Sequence, residues 1–149
     1  MVKSYVIDGG SYLHDRRISQ TLFELAPLHS PEDSAISLKA FEPIVIGRVP
    51  SCTVQVSCSH PYVSGRHCLI VATCEWGIYI VDMSLNGIFI NSHRIAQGKA
   101  VHAGAGDVIT FCRRHKHGRL KFQVVALRQD RVRHDTVRIP RGILIAALT

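Results

Sequence analysis

Four polar side chains between positions 48 and 86 have the types and settings needed to hold an anion together with the chain that bears it. Arg48 follows the apolar run Ile44-Val45-Ile46-Gly47, so it is expected where a strand gives way to a loop. Its planar guanidinium is permanently charged and offers forked donors that match a phosphate. By itself an arginine in such a place is more often a solvated loop residue. Ser64 lies in the loop-like stretch Pro61-Tyr62-Val63-Ser64-Gly65. Its hydroxyl and the neighbouring backbone N–H groups can build a small concavity for an anion, or the hydroxyl can satisfy its own turn. Arg66 adds a second cation shortly after Ser64. Asn86 carries both a donor and an acceptor, so it can pair with an extended main chain in both senses; its plainer role is the left-handed position of a turn. His67, next to Cys68, would by residue type alone suit a general base or a metal ligand.

The metal reading is weak. The five cysteines, Cys52, Cys58, Cys68, Cys74 and Cys112, include no C-x-x-C, and the Cys52–Cys58 spacing has no second pair to complete a set with His60 and His67. Free thiols are expected. No glycine-rich nucleotide loop and no Gly-x-Ser-x-Gly elbow occurs, so neither an enzyme nor a cofactor is expected. Eighteen Lys plus Arg against eleven Asp plus Glu give a net charge of +7, which favours anionic partners: nucleic acid, acidic lipid or phosphorylated protein. Charge alone does not choose among them. No apolar run approaches the ~18–20 residues of a membrane helix, and the opening residues lack the pattern of a secretory signal. The expectation is a soluble, intracellular protein without a membrane partner.

The elements that must position these side chains are short strands. Leu22–Pro27, Ser37–Phe41, Ile44–Arg48, Val54–Val56, Cys68–Thr73, Ile78–Asp82, Ile88–Ile90, Asp107–Phe111 and Leu120–Leu127 are rich in Val, Ile, Phe and Tyr and bounded by turn residues. Such runs at regular spacing predict an all-β sandwich or barrel. Asn86-Gly87 between two apolar runs predicts a tight turn, and Gly104-Ala105-Gly106-Asp107 a second one. Flanking this block are an N-terminal extension, residues 1–19, and a C-terminal tail, residues 129–149, which is charged at first and then apolar from Gly142 to Leu148. Docking of the tail on the sandwich is expected, because an exposed apolar run invites aggregation.

Gly47-Arg48, Ser64-Gly65-Arg66-His67, Asp82-Met83-Ser84-Leu85-Asn86-Gly87 and Asn91, with the later Gly106-Asp107-Val108-Ile109, resemble in order and spacing the signature of the forkhead-associated (FHA) family. The resemblance covers roughly residues 20–128. It implies an FHA/SMAD-like β-sandwich of about eleven strands, with binding loops at one end. The two strands beyond the nine above would lie around Arg94-Ile95 and Ala100-Val101. It further implies that Arg48 and Ser64 contact the phosphate of a phosphothreonine, with Gly65, Arg66 and Leu85 at neighbouring binding positions, and that Asn86 holds the peptide main chain. Gly47, His67, Gly87 and Asn91 would then support the binding loops. Two positions depart from the family pattern. Gly65 stands where many members have Arg, Asn or Lys, and Leu85 stands where many have a hydroxyl residue.

The function implied is a phosphothreonine-dependent protein-binding module, an adaptor in intracellular and, by family habit, nuclear signalling. Two alternatives stand beside it. One is a scaffold of the same fold that binds its partner without phosphate. The other is a basic nucleic-acid binder acting through Arg113–Arg119, a positive stretch whose plainer reading is a solvated loop.

Overall fold

The computed structural model describes residues 20–29, 34–73, 77–112 and 120–127. The two extensions, the basic stretch Arg113–Arg119 and Cys74 lie outside the described residues. Eleven strands follow one another in the order β1 (Thr21–Pro27), β2 (Ile36–Lys39), β3 (Ile44–Gly47), β4 (Val54–Gln55), β5 (Cys68–Thr73), β6 (Gly77–Asp82), β7 (Ile88–Ile90), β8 (His93–Arg94), β9 (Ala100–Ala103), β10 (Val108–Phe111) and β11 (Leu120–Ala126). They form two sheets, one of six strands in the order β2-β1-β11-β10-β7-β8 and one of five in the order β4-β3-β5-β6-β9. The all-β sandwich expected from the spacing of short strands is the architecture observed.

A period of two decides which side chains enter the core. In β2, Ile36 and Leu38 are buried while Ser37 and Lys39 face solvent. In β11, Leu120, Phe122 and Val124 are buried and the residues between them are partly covered. The inner faces of both sheets meet around Leu25, Leu38, Ile46, Ile70, Ile80, Ile88, Ile109 and Phe111. Phe111 packs edge-on against Phe122 with ring centroids 5.9 Å apart. The centre of the five-stranded sheet departs from alternation, because all six residues of β5 are buried.

Strand ends follow local backbone constraints. The run Ser37–Phe41 ends earlier than its composition suggests. Phe41 takes φ 55 while its amide bonds the Ala72 carbonyl, so the chain leaves one sheet there and turns toward the other. Arg48 falls just outside β3, as a loop residue.

The expected tight turn at Asn86-Gly87 is corrected. β6 and β7 belong to different sheets, so this segment crosses the sandwich and closes no hairpin. Gly87 has φ 89, but Asn86 is not left-handed; the non-glycine residues with positive φ among those described are Phe41, Asn91, Ser92 and Cys112. The two-residue hairpin lies five residues later. Ile90 pairs with His93, and Asn91 and Ser92 between them have φ 48 and 71, the double positive φ of a primed turn that matches strand twist.

Candidate functional site

Three loops meet at one end of the sandwich: the one after β3, the one leading into β5, and the crossover between β6 and β7. Their meeting begins with Gly47. A Cβ built there would lie 2.7 Å from the Gly65 carbonyl carbon, 2.9 Å from the Arg66 Cα, and nearer still to the Gly65 oxygen. Without a side chain at 47 the two backbones close up. His67 N bonds Ile46 O at 2.8 Å, Arg48 N bonds Ser64 O at 3.2 Å, and Val49 N bonds Gly65 O at 3.1 Å. The Cys52 thiol adds a contact to Gly65 O at 3.2 Å. Arg48 is exposed, and its Nε donates to the Val63 carbonyl. Gln55 Nε2 caps the Arg48 carbonyl at 3.0 Å. One edge of the guanidinium is thereby held by the protein, while its terminal amino groups take no partner among the described residues.

His67 locks the next loop from beneath. Its ring is fully buried and lies 4.9 Å from the ring of Phe111. Nδ1 accepts from the Ser64 amide at 3.0 Å. Nε2 faces the Gly87 carbonyl at 3.1 Å, an oxygen that can only accept, so Nε2 carries the proton and the ring is neutral. Burial lowers the His67 pKa from its ordinary value, outweighing the opposite pull of the Gly87 hydrogen bond and the Asp82 charge. Both ring nitrogens are engaged by backbone, which leaves His67 no lone pair for a metal and no role as a base. Through these two bonds the ring ties the Ser64 loop to the end of the crossover at Gly87.

Ser64 is half-buried, and its hydroxyl oxygen accepts from the Leu85 amide at 3.1 Å. Its own O–H proton remains available to an incoming acceptor. Asn86 Nδ2 donates to the Tyr62 carbonyl at 2.8 Å. That bond fixes the amide orientation, since Tyr62 O offers no proton. The Asn86 Oδ1 takes no hydrogen bond among the described residues and can receive one from a peptide N–H. The site therefore offers a guanidinium, a hydroxyl and an amide oxygen, each held by an independent bond to backbone. Gly65 and Arg66 flank them; the Arg66 side chain is exposed and makes no hydrogen bond among the described residues. Leu85 is 87% exposed, so an apolar side chain stands bare at the position where many family members have a hydroxyl.

Several supporting residues were not anticipated from sequence. Asp82 and Ser84 are both buried. Asp82 Oδ1 accepts from the Ser84 amide at 2.8 Å and from its hydroxyl at 2.6 Å, and Ser84 Oγ then accepts from the Gly87 amide at 2.8 Å. Gln97 Nε2 holds the Ser84 carbonyl at 2.8 Å. This chain of bonds ties the start of the crossover to its end. The available signal was Asp-x-Ser, whose side chains characteristically fold back on nearby amides. Tyr62 is the other: its carbonyl holds Asn86, and its hydroxyl accepts from the Leu120 amide at 3.1 Å.

Asn91 requires a correction. It was expected to support the binding loops, but it sits at the opposite end of β7 from Gly87. Its Nδ2 bonds Asp107 Oδ1 at 2.8 Å and its Oδ1 receives the Val108 amide at 2.9 Å. It braces the turn before β10. The same hydrogen bond, with a second from the Gly104 amide, lowers the Asp107 pKa.

The FHA domain family model matches residues 44–112. Residues 44–112 belong to the FHA domain family. The span runs from β3 to the end of β10 and contains every site residue named above. Among solved structures, the N-terminal FHA domain of Rad53p from S. cerevisiae, in complex with a phosphothreonine peptide, superposes with a TM-score of 0.61 at 16% identity, covering 71% of this chain and 94% of that one. The FHA domain of the CT664 protein from Chlamydia trachomatis gives a TM-score of 0.58 at 18% identity over 72% of this chain and 100% of that one. At those identities the likeness establishes a shared fold. A probable serine/threonine-protein kinase, fhkB of Dictyostelium discoideum, is 31% identical over 107 residues, 58% of this chain. The chain spans 9% of the length of that kinase.

Proposed function

We propose that this FHA domain is a phosphothreonine-dependent binding module that serves as an adaptor in intracellular signalling. The observation that carries the reading is the convergence of Arg48, Ser64 and Asn86 from three separate loops, with the free donors and acceptor of each left toward solvent. A phosphate brings a charge of about −1.5 to −2 and strong acceptor oxygens. Arg48 supplies permanent charge and paired donors for it, Ser64 an O–H, and Asn86 an acceptor for the main chain of the residue that follows. The Rad53p domain, solved with a phosphothreonine peptide, has the same fold and supports the reading.

The test is a titration of matched phosphorylated and unphosphorylated threonine peptides against the wild type and Arg48→Ala. Removing a charge-assisted bond of roughly 1.5–3 kcal/mol weakens phosphopeptide binding about ten- to a hundred-fold. Equal binding of both peptide forms, untouched by Arg48→Ala, replaces this reading with that of a phosphate-independent scaffold.

A further inference from the structure

A third cation, Arg94, stands beside the crossover loop, outside the signature positions named above. Arg94 is exposed, and its side chain forms no hydrogen bond or ion pair among the described residues. Its place is fixed by the hairpin: Phe89 pairs with Arg94, the Asn91-Ser92 turn sets that register, and Ile95 N closes the ladder on Ile88 O at 3.0 Å. Ile95 is buried, which anchors the strand just beyond Arg94. From there the side chain runs diagonally back across β7 to the crossover loop. Its Nε lies 2.8 Å, its Cζ 3.1 Å and its Nη2 3.2 Å from the position a Gly87 Cβ would occupy. The guanidinium thus fills the side-chain space of Gly87, the residue directly after Asn86.

We propose that Arg94 is a specificity-determining residue that selects an acidic side chain one or two positions after the phosphothreonine. This rests on the phosphothreonine reading above. Asn86 is the group that would meet the peptide main chain just past the phosphothreonine. Consecutive Cα atoms of the loop are about 3.8 Å apart, close to the ~3.3 Å advance of an extended peptide per residue. A peptide that continues past Asn86 in the direction of Gly87 would bring its next side chain or two to this guanidinium. Arg94 is carried on a paired strand rather than on a free loop, so little ordering is required when a carboxylate arrives. Gly87 contributes by absence, since any side chain there would displace the guanidinium.

The experiment measures affinities for a phosphothreonine peptide carrying Asp, Ala or Lys in turn at each of the two following positions. Wild type, Arg94→Gln and Arg94→Glu are compared at low and high salt. The wild type is expected to prefer Asp over Ala about three- to tenfold, less at high salt because an exposed pair is screened. Arg94→Gln should bind the Asp and Ala peptides equally, and Arg94→Glu should favour Lys. A circular dichroism melt of each variant establishes that both are folded. Phosphate-dependent binding with no acidic preference, or a preference that survives Arg94→Gln, overturns the proposal and leaves the phosphothreonine reading standing. Absence of phosphate-dependent binding by any peptide removes both.

Discussion

The Leu85 amide donates to the Ser64 hydroxyl oxygen across 3.1 Å, joining two loops that are 21 residues apart in sequence. The bond uses the oxygen of Ser64 as an acceptor and so turns its proton outward. A single hydroxyl thereby couples the shape of the site to its proposed chemistry. Ser64→Ala removes both roles. Phosphopeptide affinity is expected to fall about ten- to a hundred-fold, the equivalent of roughly 1.5–3 kcal/mol, while the melting temperature changes little. Isothermal titration calorimetry beside a thermal melt separates the two effects.

Gly47→Ala tests the close approach of the first two loops. The added methyl would meet backbone at Gly65 and Arg66, which cannot rotate aside. A loss of about 1–3 kcal/mol of stability is expected, in the range of overpacked sites. Gly104→Ala is the control. A Cβ there meets only His102 Cε1 at 3.9 Å and Asp107 Oδ2 at 4.0 Å, and its effect should stay within about 0.5 kcal/mol. Equal urea midpoints for the two variants would contradict the steric account.

The two departures from the family pattern can be reversed. Gly65→Arg places its Cβ 3.0 Å from a Val49 methyl and near nothing else, so a small shift of Val49 accommodates it. Leu85→Thr restores a hydroxyl at a position already 87% exposed. The first adds a guanidinium and the second a hydroxyl beside the proposed anion, and each should tighten phosphopeptide binding about three- to tenfold. Unchanged affinity in both variants would show that neither position faces the phosphate.

The pH dependence of stability reports on His67. Its folded pKa is lowered, so between that value and about 6.5 the unfolded chain binds the extra proton. Stability then rises with pH in this window and is lost as pH falls from about 6.5 toward the folded value. Protonating Nδ1 would also cancel its bond from the Ser64 amide. Urea unfolding between pH 5 and 7.5 should show a steeper decline for the wild type than for His67→Gln, although the variant is less stable throughout. Parallel curves would assign the pH dependence to other groups.

Much of this was legible in the sequence, for identifiable reasons. Alternation in Lys121-Phe122-Gln123-Val124 and the bounded apolar run Ile88–Ile90 place strands because burial on one face imposes a period of two. Arg48, Ser64 and Asn86 are each ordinary loop residues taken alone, and could be singled out only because their order and spacing, with Gly47, His67 and Gly87, were informative. Asn86-Gly87 misled for an equally physical reason. The dipeptide permits a tight turn, but whether two flanking strands pair across it depends on which sheet each one joins, and that is a long-range matter. The Asp82–Ser84 bonds were hidden because both residues look like ordinary loop polars until burial makes their pairing obligatory. Arg94 was hidden because its proposed role derives from the absent side chain of Gly87, in the crossover loop just ahead of the neighbouring strand β7.

The crossover from Asp82 to Gly87 links the two halves of the sandwich and is bonded at every stage: Met83 N to His67 O at 2.9 Å, Ser84 to Asp82, Leu85 to Ser64, Asn86 to Tyr62 and Gly87 to His67. A segment wired in this way has no hinge of its own. The Gly87 amide is bonded to Ser84 Oγ in a buried position, so its exchange with deuterium should be far slower than that of most surface-loop amides. A phosphopeptide bound as proposed would meet a pre-cast surface, and the ordering that accompanies its association would fall almost wholly on the peptide.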